Sequence, residues 1–124
     1  MSVANFLEDK LLDLVFNASS YAGQSTVYVK LHTGDPGEDC TSNAAGNTTR
    51  QAATVGASSS GTVTSDADIT WTNVSTSETY SHISIWDAST AGNALWYGAL
   101  TASKAVNAGD TFTIASGSLT ISLD

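Results

Sequence analysis

The sequence predicts a mainly β fold: a single-domain antiparallel β-sandwich of about seven or eight short strands, Greek-key or jelly-roll-like, with one N-terminal α-helix. Three observations predict it. From residue 26 onward, apolar and polar residues alternate in short runs, the period of half-buried strands. Clusters of Gly, Ser and Asn separate those runs, as in all-β folds. Only residues 1–18 carry the three- and four-residue apolar spacing of an amphipathic helix. With 124 residues the chain is long enough for one domain around one core, and the expected division is a helix over 1–18 and a sandwich over 26–124.

In "MSVANFLEDKLLDLVF", Val3, Phe6, Leu7, Leu11, Leu14 and Val15 make the apolar stripe, and Glu8, Asp9, Lys10 and Asp13 fall on the other side. Ser2 is the expected N-cap, its hydroxyl available to the free amides of the first turn. "TVYVKL" puts Val27, Val29 and Leu31 on one strand face. "HTGDPGED" stops that strand, because Pro36 lacks an amide hydrogen and Gly34 and Gly37 admit positive φ. "CTSNAAGNTT" continues as a polar loop, so 32–49 is expected to be exposed or to touch a neighbour. "RQAATVGA" and "DADITWTNV" each offer a short strand, the second with Ile69 and Trp71 on one face. "YSHISIWDA" and "ALWYGALTA", joined by "STAGN", are the clearest hairpin, with Ile83 and Ile85 facing one way and His82, Ser84 and Trp86 the other. After "VNAGD", "TFTIA" and "SLTISLD" finish the sheet, with Leu119, Ile121 and Leu123 alternating.

Composition excludes several function classes. Hydrophobic residues make up 41% and charged residues only 13%, so the polarity comes largely from 35 Ser and Thr. Net charge is -8, with Lys10, Lys30, Arg50 and Lys104 the only basic residues. Four scattered cations cannot neutralise a run of phosphates, so neither a nucleic acid nor an anionic membrane is an expected partner. Cys40 is the only cysteine, which leaves no internal disulfide and no zinc cage. No secretory signal and no long apolar run is visible, so synthesis and folding in a cytoplasm are expected.

The acidic stretches are the first candidates for chemistry. Asp35, Glu38 and Asp39 lack the alternating spacing of a calcium loop, and Asp66 and Asp68 are a second acidic pair in a loop. Both read as solvated turns. Cys40 with His32 or His82 has the residue types of a nucleophile and base, yet nothing in the spacing brings them together. His32 reads instead as a strand-end residue bonded to the next turn, and His82 as a sheet-face residue. Trp71, Trp86, Trp96, Tyr80 and Tyr97 could make a sugar-binding platform, but aromatics in strands more often pack cross-strand pairs or an interface. The sequence therefore assigns no catalytic, cofactor-binding or metal-ligating residue. A small hydrolase is the remotest reading.

Taken in order, the "NFLEDKLLDLVF" helix, "VYVKLHTGDPG", "TRQAATVG", "SHISIWDASTAGNALWYGAL" and "KAVNAGDTFTIASGSLTISLD" resemble a family of small virion proteins of tailed bacteriophages, described as tail fibre-like or minor structural proteins. The resemblance covers nearly the whole chain and implies a β-rich module of the virion with no catalytic residues to transfer. The expected role is a capsid decoration, or cement, protein on the shell exterior, with the major capsid protein and copies of itself as partners and a trimer favoured. A tail or tail-fibre-associated protein, with receptor or glycan binding, is the alternative. The expected interface residues are Val3, Phe6, Leu7 and Leu11 on the helix, and Trp86, Trp96 and Tyr97 on the aromatic hairpin.

Overall fold

The structure, a computed structural model, describes residues 2–123; Met1 and Asp124, which the predicted spans include, lie outside the described residues. The elements run β1 (Ser2–Val3), α1 (Asn5–Phe16), β2 (Val27–His32), β3 (Gln51–Ala53), β4 (Thr62–Thr64), β5 (Ile69–Trp71), β6 (Glu78–Trp86), β7 (Ala94–Val106), β8 (Phe112–Ile114) and β9 (Thr120–Ser122). The predicted mainly β, antiparallel architecture with one helix is the one observed. Five strands form a sheet in the order β1-β7-β6-β2-β3, and two ribbons, β4-β9 and β5-β8, make the opposing layer.

The hairpin β6–β7 organises the sheet. Its register pairs Ile85 with Trp96 and Ile83 with Gly98, so one face of both strands is apolar. On the other side β2 pairs Val29 with Ile85 and Leu31 with Ile83, which continues that face. The turn depends on Gly92. Its φ is 73°, and a Cβ there would stand 2.4 Å from Asp87 Oδ1 and 2.8 Å from the Ala88 Cβ.

Val29, Leu31, Ile83, Ile85 and Trp96 meet Ile69, Trp71, Phe112, Ile114 and Leu119 of the second layer in one buried core. Aromatic rings fill its centre. Phe112 lies 5.7 Å from Trp71 and 5.2 Å from Tyr80, the latter edge-on. The Trp71 indole N–H donates to the Thr49 carbonyl at 2.9 Å, so its polar end is satisfied. Buried Ser65 joins the two ribbons: its amide donates to the Leu119 carbonyl at 2.9 Å, and its carbonyl accepts from the Gly117 amide at 2.8 Å.

Three local expectations are corrected and a fourth is refined. The helix does not span 1–18, and Ser2 is not its N-cap. Ser2 and Val3 pair with Tyr97 and Trp96 as a strand, and the helix begins after Ala4, with no side chain capping it. A strand edge on β7 offers Ser2 and Val3 a full set of backbone partners, which a frayed first turn does not. Ala4 bridges the two elements: its amide donates to the Leu95 carbonyl, and its own carbonyl accepts from Leu7 and Glu8. The strand β4 was not predicted, because "TVT" lies in a Ser/Gly/Thr tract and its apolar partner, Ile121 of β9, is at the far end of the chain. β7 runs on to Val106 through an irregular register between the Tyr80 and His82 pairs. Finally, the 33–49 loop is exposed over most of its length, as expected, yet it is also anchored, with Pro36, Cys40, Ala45 and Asn47 buried.

Candidate functional site

Among the described residues, the outer face of the sheet carries the one hydrogen-bonded serine–histidine pair whose members are distant in sequence. Ser84 on β6 and His32 at the end of β2 are both fully buried, with Oγ and Nε2 2.7 Å apart. The proton order follows from the neighbours. His32 Nδ1 lies 2.9 Å from the Ser42 carbonyl, which can only accept, so Nδ1 carries the proton and Nε2 is the acceptor. The Ser84 hydroxyl therefore donates to Nε2, and its oxygen accepts from the Trp86 indole N–H at 2.8 Å. Burial pushes the His32 pKa below its ordinary value, against the opposing pull of the Ser42 carbonyl, and the imidazole is neutral.

The chemistry of this chain of bonds is closed. The group orienting His32 is a backbone carbonyl rather than a carboxylate, and Ser84 has no exposed surface for a substrate to approach. What the network does is fasten the 33–44 loop to the sheet, as expected for a strand-end histidine bonded to the next turn. Cys40 sits in the same small cluster with Ala4, Trp86 and Ala94. Burial and the neighbouring Asp39 push its thiol pKa up to about 12, so it stays protonated and unreactive. The ring of His82, on the sheet, bonds its neighbour Ser81 among the described residues, with Nδ1 2.8 Å from Oγ.

Half of the basic residues are committed to one tryptophan. The Arg50 guanidinium stacks over Trp86 with its central carbon 4.0 Å from the ring centroid, and Lys30 Nζ lies 5.7 Å from the same ring. Arg50 Nη1 also donates to the Ala88 and Ala91 carbonyls at 2.9 and 2.7 Å, tying β3 to the β6–β7 turn. The acids serve backbone amides. Asp35 accepts from Gly37, Asp39 from Thr41, Asp68 from Ser116, and Glu78 from both Gly46 and Asn47. The Thr41 bonds hold the Asp39 carboxyl below its ordinary value. Among the described residues, no three of His, Cys, Asp and Glu converge on a point that could hold a metal ion.

The predicted interface residues fall into three environments. Trp96 is 3% exposed, and its ring belongs to the core of its own chain. Trp86 is covered by Arg50 and Lys30, and Tyr97 is half-buried opposite Ser84 and Ser2. Val3, Leu7 and Leu11, half-buried, line an apolar groove of about 320 Å³ with Val63 and Ile121 on its other wall. Phe6 packs edge-on to Tyr21 at 6.3 Å, with Lys10 Nζ 5.6 Å from its ring. Trp71 and Tyr80 are buried in the core, so the aromatics do not form an exposed platform.

The residues that do stand free were not among those predicted. Leu12, Leu14, Val15 and Phe16 are exposed, as is Leu123. Helical periodicity contains the signal for two of them. At 100° per residue, Leu12 and Phe16 fall well away from Leu7, Leu11 and Leu14, and Val15 lies between the two sets beside Leu11, so the apolar arc of the last turns is wider than the single stripe.

A search of curated proteins found no match. A family model described as podophage GP4 fiber I protein gp80 matches residues 2–122. The match spans nearly the whole chain, takes in every element from β1 to β9, and agrees with the resemblance to tailed-phage virion proteins read from the sequence. The chain therefore belongs to the podophage GP4 fiber I protein gp80 family, a family of bacteriophage structural proteins.

Proposed function

We propose that this chain is a non-enzymatic fibre subunit of a podophage-type virion, carried on the tail and assembled from several copies, a trimer being the simplest arrangement. The observation that carries the reading is the fibre-protein family match over residues 2–122. Two features of the fold support it. The groups that could do chemistry, Ser84, His32 and Cys40, are buried and spent on internal bonds. The aromatics that a glycan platform would need, Trp71, Tyr80 and Trp96, lie inside the core, so the role is one of assembly and not of sugar recognition by that platform.

The experiment is the copy number of the chain in purified particles, measured by quantitative mass spectrometry against the major capsid protein. A fibre subunit is expected at a few to a few dozen copies per particle. A ratio near one to one with the major capsid protein would move the chain to the shell exterior, as a decoration protein that stabilises the lattice by binding only its assembled form. Absence from washed particles would overturn both placements.

A further inference from the structure

Three features of α1 find no counterpart among the described residues. First, Leu12, Val15 and Phe16 lie at the i, i+3, i+4 spacing that puts them side by side, and all three are exposed, Phe16 by 80%. Second, acids flank that patch. Glu8 precedes Leu12 by one turn, and Asp9 and Asp13 stand one turn apart in the neighbouring column, a like-charged i, i+4 pair. Third, Asp13 lies at the helix end where the dipole is negative, and no basic residue occupies the last turn. The helix's one cation, Lys10, is over the Phe6 ring instead.

One kind of partner relieves all three. We propose that the C-terminal half of α1 is the attachment surface for a second, different protein, which brings an apolar patch flanked by lysine or arginine. The apolar patch covers Leu12, Val15 and Phe16, while its basic flank pairs with Glu8, Asp9 and Asp13 and supplies the positive charge that the helix end lacks. A second copy of this chain fits poorly, because it brings the same acids and a net charge of -8. Of its four basic residues, Lys30 and Arg50 are held over Trp86 and Lys10 over Phe6, which leaves Lys104. A nucleic acid or an anionic bilayer is repelled by the same acidic flank.

The inference rests on the reading of the chain as a particle component, and the test separates the two. Particles are grown in a host that supplies either the natural chain or one of two variants, Val15→Ser with Phe16→Ser, or Asp9→Asn with Asp13→Asn. Chain content per particle is then measured by mass spectrometry, and the free variants are checked by thermal melting and sedimentation. Asp9, Val15 and Phe16 are exposed and Asp13 is half-buried, so melting and oligomeric state should stay close to those of the natural chain. The apolar variant should lose about tenfold or more of its incorporation, and the neutralised variant should detach at lower salt than the natural chain. Unchanged incorporation and salt resistance in both would overturn the inference and leave the fibre reading intact. A changed sedimentation coefficient in the apolar variant would also overturn it, by making a second copy the occupant. Absence of the natural chain from particles would overturn the fibre reading and this inference together.

Discussion

Ser84 and Ile85 are neighbours on β6, and their side chains leave the sheet on opposite sides. Ile85 enters the core, where it meets Val29 and Trp96 in register and the rings of the second layer fill the space beyond. Ser84 enters a polar cluster in which every bond has a direction: Trp86 to Ser84, Ser84 to His32, His32 to Ser42. The inner face is held by apolar area and fit, and small losses of volume there cost small amounts. The outer face is held by complementarity of donors and acceptors, where the loss of one atom strands two buried groups.

The largest effect expected is removal of an aromatic ring that packs against the inner face from the second layer. Trp71→Ala deletes the contact with Phe112 and leaves a cavity at the centre of the core, and should cost about 3–5 kcal/mol in urea denaturation. A loss under about 1 kcal/mol would mean that the second layer contributes little to holding the sheet. The sharper comparison is the adjacent pair. Ser84→Ala leaves the Trp86 N–H and His32 Nε2 buried without a partner, and should cost about 1–3 kcal/mol. Ile85→Val removes one methylene from the core and should cost about 0.5–1.5 kcal/mol. If the isoleucine change proved the costlier, the directional account of the outer face would fail.

The outer face should also respond to pH where the inner one cannot. His32 is buried in its neutral form, so its pKa in the folded chain is below the ordinary imidazole value of about 6.5. The unfolded chain therefore binds a proton first as pH falls. The stability that His32 contributes is fully present above about pH 6.5 and declines as pH drops from there through the folded pKa. His32→Gln should flatten the stability–pH curve over the upper part of that window, above the range where the carboxylates titrate. An unchanged slope would mean that His32 is exposed to protonation in the folded chain.

How much of each face was legible in the sequence follows from the same contrast. The inner face is written in a local code: Val27, Val29 and Leu31, then Ile69 and Trp71, then Ile83 and Ile85 alternate at period two and point to their own side of the sheet without knowledge of their partners. The outer network has no local signature. His32, Ser42, Ser84 and Trp86 become one unit only after β2 and β6 pair across 52 positions, so the anchoring of the largely exposed loop by a buried histidine could not be read from the sequence. Cys40 and Asn47 are buried in that loop for the same reason. The misread N-terminus differs in kind: Ser2 and Val3 suit a helix start in isolation, and a strand edge at Trp96 and Tyr97 outcompetes it. The exposed Leu12 and Phe16 were legible, since their angular position on the helix lies off the apolar stripe, whereas Leu14 and Val15, read as part of that stripe, are exposed as well.

The smallest effect tests whether the cation over Trp86 is part of this directional face or merely covers it. Arg50 does three things from one position: it stacks on the indole, and through Nη1 it holds the Ala88 and Ala91 carbonyls of the β6–β7 turn. Lysine keeps the charge, yet its compact ammonium lacks a planar face and cannot serve the ring and both carbonyls from one geometry. Arg50→Lys should therefore cost only about 0.5–1 kcal/mol, because the site is partly open to water. Its location should be more telling than its size. Amide exchange should quicken in the turn at 87–93, where the tether is lost, and stay unchanged at Phe112–Ile114 in the core. Faster exchange across the whole sheet would show that the turn and the core open as one unit, and that the two faces are not separable.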